Sequence, residues 1–521
     1  MARDSRPNPA PSFRPRDRGH GPALGSGEVF LAREVPAASL SRAQAGGLVR
    51  RLARGLYTTN VTDTPEEVTR RNIWRIVALL FPGGVIGDRS VVSGGRPSED
   101  GSIYLISPEI GERERVVELP GITVRARRGG GEVAGDMPLP GGIFLSGVAR
   151  GLLENARLTR GRGERASRTL SRAALEEWIE RLLDQRGEPG LLQLRDEARA
   201  ISAHLDLGEE FKAVDALIGA VLGSREVRAR SPLLRARLQG LAYDDRRVEI
   251  LKVLHGELTS LAPRSRPAPA GSARARFLPF FDAYFSNYIE GTEFTVEEAR
   301  EIVFDQIVPP ARPADAHDVL GTYALVADPN EMRRLPGSFS EYVELLKTRH
   351  WRMLEQRPEV LPGEFKKKAN RAGQTLFVAP GRVEGTLARG YALYETLEDP
   401  FARAVFQMFL VAEVHPFADG NGRISRIMMN AELVSAGEER ILIPPVYRVD
   451  YIGSLRALSH NDFADRLPKV LDFAQRYTHA IDFSDFDRAV AELEATNALV
   501  DSDRAERESI RLRMPASTDS D

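Results

Sequence analysis

The sequence predicts a multidomain chain in which an α+β N-terminal region precedes a mainly α, bundle-like C-terminal domain. Three observations predict it. The chain has 521 residues, more than one hydrophobic core serves, so two to four domains are expected. Strand-like runs stop near residue 147 and helical periodicity takes over from 148. Residues 262–276 read "APRSRPAPAGSARAR", with almost nothing to bury, which is the composition of a linker.

The elements follow in order. Residues 1–27 are rich in Pro, Gly and Arg and predict a disordered tail. In the region 28–147, "LSRAQAGGLVRRLARGLYTTN" (40–60) predicts a short helix, a turn and a small hairpin with Gly55 at its tip. "PEEVTRRNIWRIVALLF" (65–81) predicts one helix, opened by Pro65 and two acids. The runs at 102–107, 114–128 and 141–147 predict strands. Residues 148–261 predict a helical region, 277–498 a helical domain beyond the linker, and 499–521 a charged tail that frays.

Composition narrows the function classes. The chain has no cysteine, which excludes a disulfide framework and thiolate chemistry. Net charge is −2, so no global field selects nucleic acid or membrane. The N-terminus lacks the apolar core of a signal peptide, and no apolar run reaches the length of a membrane helix. A cytoplasmic protein with no membrane partner is the expectation. The eight histidines are scattered without metal-ligand spacing. "GGGEVAG" (129–135) lacks a dinucleotide-binding register, and no Walker-type phosphate loop is present.

The informative stretch is "AEVHPFADGNGRISRIMMN" (412–430). Asp399 and Pro400 start a helix whose apolar positions Phe401, Val405, Phe409 and Ala412 recur at helical spacing. Pro416 disfavours helical geometry at His415, so the helix stops there. After a polar loop, Ile424, Ile427, Met428 and Ala431 give a second helix its apolar face. Arg423 and Arg426, three apart, share another face near its N-terminus. That is an anion-binding pattern. A helix N-terminus offers unpaired N–H groups and a positive dipole end. Gly420 and Gly422 let a phosphate approach the backbone, and two arginines can fork onto phosphate oxygens. Asp419 is a hard ligand suited to magnesium. His415 suits proton transfer near neutral pH. Singly, each piece has an ordinary reading as a turn, a cap or a solvated face; their order is what points to a site.

"HPFADGNGRISR" resembles the signature of the Fic family, H-x-F-x-[DE]-G-N-G-R-x-x-R, at every fixed position, and "PGEFKKKANRAGQTLFVAP" (362–380) resembles that family's flap. The resemblance covers roughly 275–480. It implies a helical bundle with a small β-hairpin flap, and transfer of AMP from ATP, with Mg²⁺, to a hydroxyl side chain of a target protein. It makes His415 the base, Phe417 a core anchor and Asp419 the magnesium ligand. Gly420, Asn421, Gly422 and Arg423 would bind the α- and β-phosphates, and Arg426 the γ-phosphate. Gln374 and Thr375 would clamp the target segment by strand-like pairing. Tyr451 stands where the family has an adenine-side aromatic. Lys366 stands for the usual arginine after "GEF", and Ile452 for a second aromatic. Gly422 replaces the lysine of the phosphorylating Doc-type members, which favours AMP transfer.

"FDAYFSNYIEGTEFTVEEA" (281–299) puts Ser286 and Glu290 on one helix face, with Gly291 ending the helix and Thr295 and Glu298 forming a capping box for the next. "SNYIEG" resembles the family's inhibitory motif, [ST]-x-x-x-E-[GN]. The resemblance implies an inhibitory helix over 279–290 whose Glu290 pairs with Arg426 and occupies the γ-phosphate position. The segment 40–60 also resembles the winged-helix start of AbiEi-type antitoxin regulators, and Arg42, Arg50, Arg51 and Arg54 are unopposed by acids between 35 and 60. That implies a winged-helix-like N-terminal module with DNA as a candidate partner. Two other functional readings remain at this point. One is a DNA-binding regulator or antitoxin-like protein whose Fic domain senses nucleotide. The other is removal of AMP from modified targets by the same site. A homodimer is a further expectation from the family.

Overall fold

The computed structural model describes residues 27–98, 100–159, 161, 167–269 and 275–515. The tail expected over 1–27 lies outside these residues except for Gly27, as do residues 516–521. The chain divides into two compact units, 1–235 and 236–521.

The first unit opens with a three-stranded antiparallel sheet. Leu56–Thr58 is its central strand, flanked by Val29–Leu31 and Arg50–Ala53. Helix Ala37–Ala45 precedes the hairpin, and Gly55 takes the left-handed turn position with φ +78°. A six-stranded mixed sheet follows, in the order Arg115–Leu119, Ile122–Arg128, Ser102–Ser107, Val85–Ile86, Ile143–Leu145, Met137–Leu139. Three strands went unpredicted: Val29–Leu31, Val85–Ile86 and Met137–Leu139. At two or three residues, each is too short to show alternation. The helix expected over 65–81 is two helices, Pro65–Arg71 and Ile73–Leu80. Asn72 interrupts them, its side-chain amide donating to Val68 O (3.0 Å) and Glu28 Oε2 (2.8 Å); such local bonds compete with the helix ladder. Of the basic patch, Arg50 donates to the carbonyls of Val61 and Asp63, and Arg51 to that of Ala53. Helices Val148–Ala156, Arg172–Ser202 and Gly208–Val221 form a separate core. The longest of them breaks at Gly187 (φ +68°), just before Pro189.

The unit boundary corrects the one expected at 262–276. Helix Asp245–Ser260 belongs to the second unit and contributes Ile250, Leu251 and Leu254 to its core. The described part of 262–276 is held onto that unit. Arg266 bonds Glu438, Gln475 (2.6 Å) and Asp472 (3.0 Å), and Arg264 pairs with Asp472 (3.1 Å). Composition revealed that this segment buries no apolar surface; ion pairs hold it instead.

The core of the second unit is helix Pro400–Val414 packed along helix Asn421–Ser435, joined by the loop 415–420. Both are buried nearly all round. Helices Phe339–Leu354, Val383–Tyr394, Arg448–Asn461 and Arg466–Ala480 surround them. Helix Leu278–Ile289 is anchored by Phe280, Phe281, Tyr284 and Phe285 in an aromatic cluster with Phe483 and Phe486. Arg371–Ala372 and Thr375–Leu376 form the expected small antiparallel hairpin. The charged tail expected to fray instead contains helix Ser502–Glu508, capped by Asp501 and seated through buried Ser502 and Ala505.

Candidate active site

The site is built on the loop between the two core helices. His415 ends helix Pro400–Val414 in the left-handed conformation, φ +53°, its N–H bonded to Val411 O at 2.9 Å. Pro416 explains why the α region is denied there. The ring stacks on Phe377, centroids 3.7 Å apart and planes 7° from parallel. Its Nδ1 lies 3.2 Å from Ala412 O. A carbonyl accepts only, so Nδ1 carries the proton and Nε2 is left as the acceptor. Burial lowers the His415 pKa to about 4, which keeps the ring neutral at pH 7.

The loop is braced from inside. Phe417 is wholly buried and stacks on His350 at 3.7 Å. Asn421 clamps it: the Phe417 N–H donates to Asn421 Oδ1, and Asn421 Nδ2 donates to Phe417 O, both at 2.9 Å. The Asn421 side chain is thus committed to the loop, which leaves its backbone N–H at the helix N-terminus as the group that could meet phosphate. Both ends of its amide are used within the loop, so it shapes the site rather than lining it. Gly420 has φ +74°, and a Cβ there would meet Leu354 Cδ1 at 2.7 Å, so glycine is required.

Asp419 is the exposed carboxylate of the loop, with 47 % of its side chain accessible. Its Oδ1 accepts from the Gly420 N–H at 2.7 Å. Its Oδ2 faces Arg357 at 3.6 Å and Arg423 at 3.7 Å. No group of three or more His, Cys, Asp or Glu is arranged for a metal among the described residues. One exposed carboxylate oxygen beside a phosphate-type helix N-terminus does fit Mg²⁺, which is commonly held by one or two carboxylates plus substrate phosphates.

Arg426 is buried. Its Nε donates to Ser286 Oγ at 3.0 Å, and its Nη2 to Ser286 O and Glu290 Oε1, each at 2.8 Å. Glu290 lies against Gly422 as well, where a Cβ would fall 2.0 Å from Oε1. The carboxylate therefore occupies the place where an anion would meet the N-terminus of helix Asn421–Ser435. Arg423 donates through Nη1 to Asp318 Oδ2 (2.5 Å) and Asn287 Oδ1 (3.2 Å).

A cavity of about 500 Å³ collects these groups; Glu290, Phe377, His415, Gly422, Arg426 and Tyr451 line it. Tyr451 is buried, its hydroxyl 3.3 Å from the Met408 sulfur and its ring 6.0 Å from the Arg426 guanidinium. Thr375 also lines the cavity and bonds His460 Nε2 at 2.9 Å. Gln374 sits at the hairpin turn, exposed and away from the cavity wall. Lys366 is buried, its Nζ donating to Asn370 Oδ1 at 2.6 Å, and burial lowers its pKa to about 8.

Sequence reasoning missed Phe377, His350, Asn287, Asp318 and Arg357. Asn287 and Phe377 had a signal: they lie inside the segments that resemble the inhibitory motif and the flap.

Glu290, His415, Arg426 and Gly422 of the first turn of helix Asn421–Ser435 share one cavity, with Asp419 on the adjoining loop. Residues 340–433 match the Fic/DOC family, and the chain carries a Fic domain. A curated relative, "Protein adenylyltransferase Fic" of Drosophila willistoni, is 26 % identical over 244 residues, 44 % of this chain and 47 % of that protein. The protein of the same name from Culex quinquefasciatus is 27 % identical over 198 residues, 37 % and 39 % of the two chains. The chain thus spans less than half the length of these relatives. Among solved structures, Fic-1 (residues 134–508) from C. elegans is 18 % identical with a TM-score of 0.34, covering 62 % of this chain and 98 % of that one. A Fic domain-containing signaling protein from Bacteroides thetaiotaomicron is 19 % identical with a TM-score of 0.32, covering 44 % and 96 %. No helix among the described residues is long and apolar enough to cross a membrane.

Proposed function

We propose that this chain is a self-restrained protein adenylyltransferase, moving AMP from ATP to a Ser, Thr or Tyr hydroxyl of a target protein. The observation that carries the reading is the convergence of a neutral His415, with Nε2 free to accept, and the Arg426-flanked helix N-terminus on one cavity. His415 Nε2 takes the proton of the target hydroxyl. The hydroxyl oxygen bonds the α-phosphorus of ATP as the bond from that phosphorus to the β-bridging oxygen breaks. Pyrophosphate leaves with the released charge. The N–H groups of helix Asn421–Ser435, with Arg423 and Arg426, hold that charge as it develops. Mg²⁺, held by Asp419, would neutralise phosphate charge when bound. Tyr451 supplies an apolar face beside the nucleotide, and the edge of hairpin 371–376 offers backbone groups to an extended target segment.

Restraint comes from Glu290. Its carboxylate takes the Arg426 donor that a γ-phosphate needs, so ATP and Glu290 compete for one charge-assisted site. The test uses ATP labelled on either the α- or the γ-phosphate with wild type, Glu290→Gly and Glu290→Gly/His415→Ala, following label on the chain itself and on lysate proteins. Transfer of α-label by Glu290→Gly alone is the expected result. Transfer of γ-label, or equal transfer by all three forms, would overturn the reading.

A further inference from the structure

Four charged side chains alternate beside the loop. Arg423 Nη1 and Arg357 Nη1 both point at Asp318 Oδ2, at 2.5 and 3.0 Å. The Nη2 atoms of the same two arginines face Asp419 Oδ2 at 3.7 and 3.6 Å. Asp318, on helix Pro313–Val326, keeps 2 % of its side chain accessible and Arg423 4 %, whereas Asp419 keeps 47 %. The inner acid takes the short contacts and the outer acid is left with loose ones.

We infer that Asp318 is a positioning residue that keeps Asp419 available to the magnesium of bound ATP. The inference rests on the nucleotide reading above. A buried guanidinium without a counter-charge is costly, so Arg423 pairs with whichever carboxylate is near. Asp318 meets that need from beneath the loop. Its two arginines are thereby held short of closing on Asp419 Oδ2, the oxygen not used by the Gly420 N–H. The same contact sets the direction of Arg423. Asp318 and Asn287 share Nη1, while Nε has no hydrogen-bond partner among the described residues. Nη2 faces Asp419 at 3.7 Å, and Nε is enclosed in the protein rather than open to a ligand. Without the Asp318 charge, Arg423 keeps only the neutral Asn287 oxygen, and Asp419 becomes its nearest anion. Arg357 has a second outlet, Glu359 at 2.5 Å, so Arg423 carries most of the effect.

The test measures ATP binding rather than turnover, in the full chain carrying Glu290→Gly so that the brake does not compete. Dissociation constants are taken in excess Mg²⁺ and in EDTA, and their ratio reports how far magnesium assists. Asp318→Asn keeps the shape and removes the charge. It should shrink that ratio about tenfold and change the affinity in EDTA by less than about threefold. Arg357→Met removes a rival for Asp419 from the exposed side, and should hold or raise the ratio. A contact that only supports the fold would weaken binding equally in both buffers and leave the ratio unchanged, which would overturn the inference. So would a fall in the ratio for Arg357→Met, a result that does not depend on whether Asp318→Asn folds. If the Glu290→Gly parent binds ATP in neither buffer, the nucleotide reading fails and this inference fails with it; if it binds equally well in both, the inference alone fails. An intact ratio in the parent together with an unchanged one in Asp318→Asn sinks the inference alone.

Discussion

Glu290 Oε1 lies 2.8 Å from Arg426 Nη2, while Ser286, one helical turn earlier, accepts from the same guanidinium through its backbone and donates no competing charge. Among the described residues, Arg426 is thus buried with a single carboxylate partner. Removing that carboxylate leaves a buried cation served only by neutral oxygens. Glu290→Gln should lower the melting temperature of the ligand-free chain by a few degrees. Breaking a fully buried pair costs about 3–5 kcal/mol; one third of the Glu290 side chain is exposed, so about 1–2 kcal/mol is expected after screening. The same variant should gain more stability from ATP than wild type does. Thermal melting with and without nucleotide checks both, and a variant that melts like wild type in both buffers would refute the pairing argument.

His415 and His350 both have pKa values lowered to about 4, chiefly by burial. Each is neutral in the folded chain and takes a proton near pH 6.5 when unfolded. The stability they contribute is therefore complete above pH 6.5 and is lost as pH falls toward 4, at roughly 3 kcal/mol apiece. Urea unfolding at pH 7.5 and pH 4.5 should show this loss, and His350→Gln should reduce it by about half.

Phe377 covers the His415 ring. Phe377→Ala should wet the imidazole and return its pKa part of the way to 6.5, by one to two units. The ring-proton titration of His415 by NMR reads this directly. The acid limb of the transfer rate in the Glu290→Gly background should move up with it. A titration that stays near 4 would show that the stack does not control the solvation of the base.

Gly420 cannot carry a side chain. Gly420→Ala faces both a left-handed backbone, at about 1–2 kcal/mol, and contact with Leu354 and Met353 below 3 Å, which typically costs another 1–3 kcal/mol. Denaturant unfolding should show a loss of about 2–4 kcal/mol. A loss under 1 kcal/mol would mean that the loop relaxes in a way its packing does not suggest.

The flap hairpin is tied down by side chains from other elements. Thr375 bonds His460, and Arg247 donates to Leu376 O at 2.7 Å. His460→Ala should raise the KM for a target peptide several-fold while leaving that for ATP within twofold, because only the flap loses support. Equal changes in both would refute a flap-specific role.

These groups differ in how visible they were in the sequence. The stretch 412–430 was legible because its chemistry is local: Pro416 stops a helix, glycines open a loop, and arginines three apart share a face. Ser286 and Glu290 were legible for the same reason, as neighbours on one turn. Asp318, Arg357 and His350 were not, since each reaches the loop from a helix or turn far away in the chain and carries no motif of its own. Asn421 sits inside the legible stretch, yet its clamp on Phe417 was not legible, because residue order does not tell whether an amide turns outward to a ligand or inward to the loop. The break at Asn72 escaped because the apolar period runs on through it. The boundary at 262–276 was misplaced because composition reports apolar burial, and Arg264 and Arg266 are held by charge.

Glu290 caps the C-terminus of its helix directly after Ile289, with Gly291 at φ +94° following it. Its N–H and that of Gly291 return to Asn287 O and Tyr288 O, while the phenylalanines that fix the helix lie one to three turns away. Unwinding this end frees the carboxylate without disturbing the aromatic anchor. Under the proposed restraint by Glu290, silence and readiness would be separated by the fraying of one helix terminus, and such termini lie in the low range of local opening energies. On this account the helix itself need never leave the bundle for the site to open.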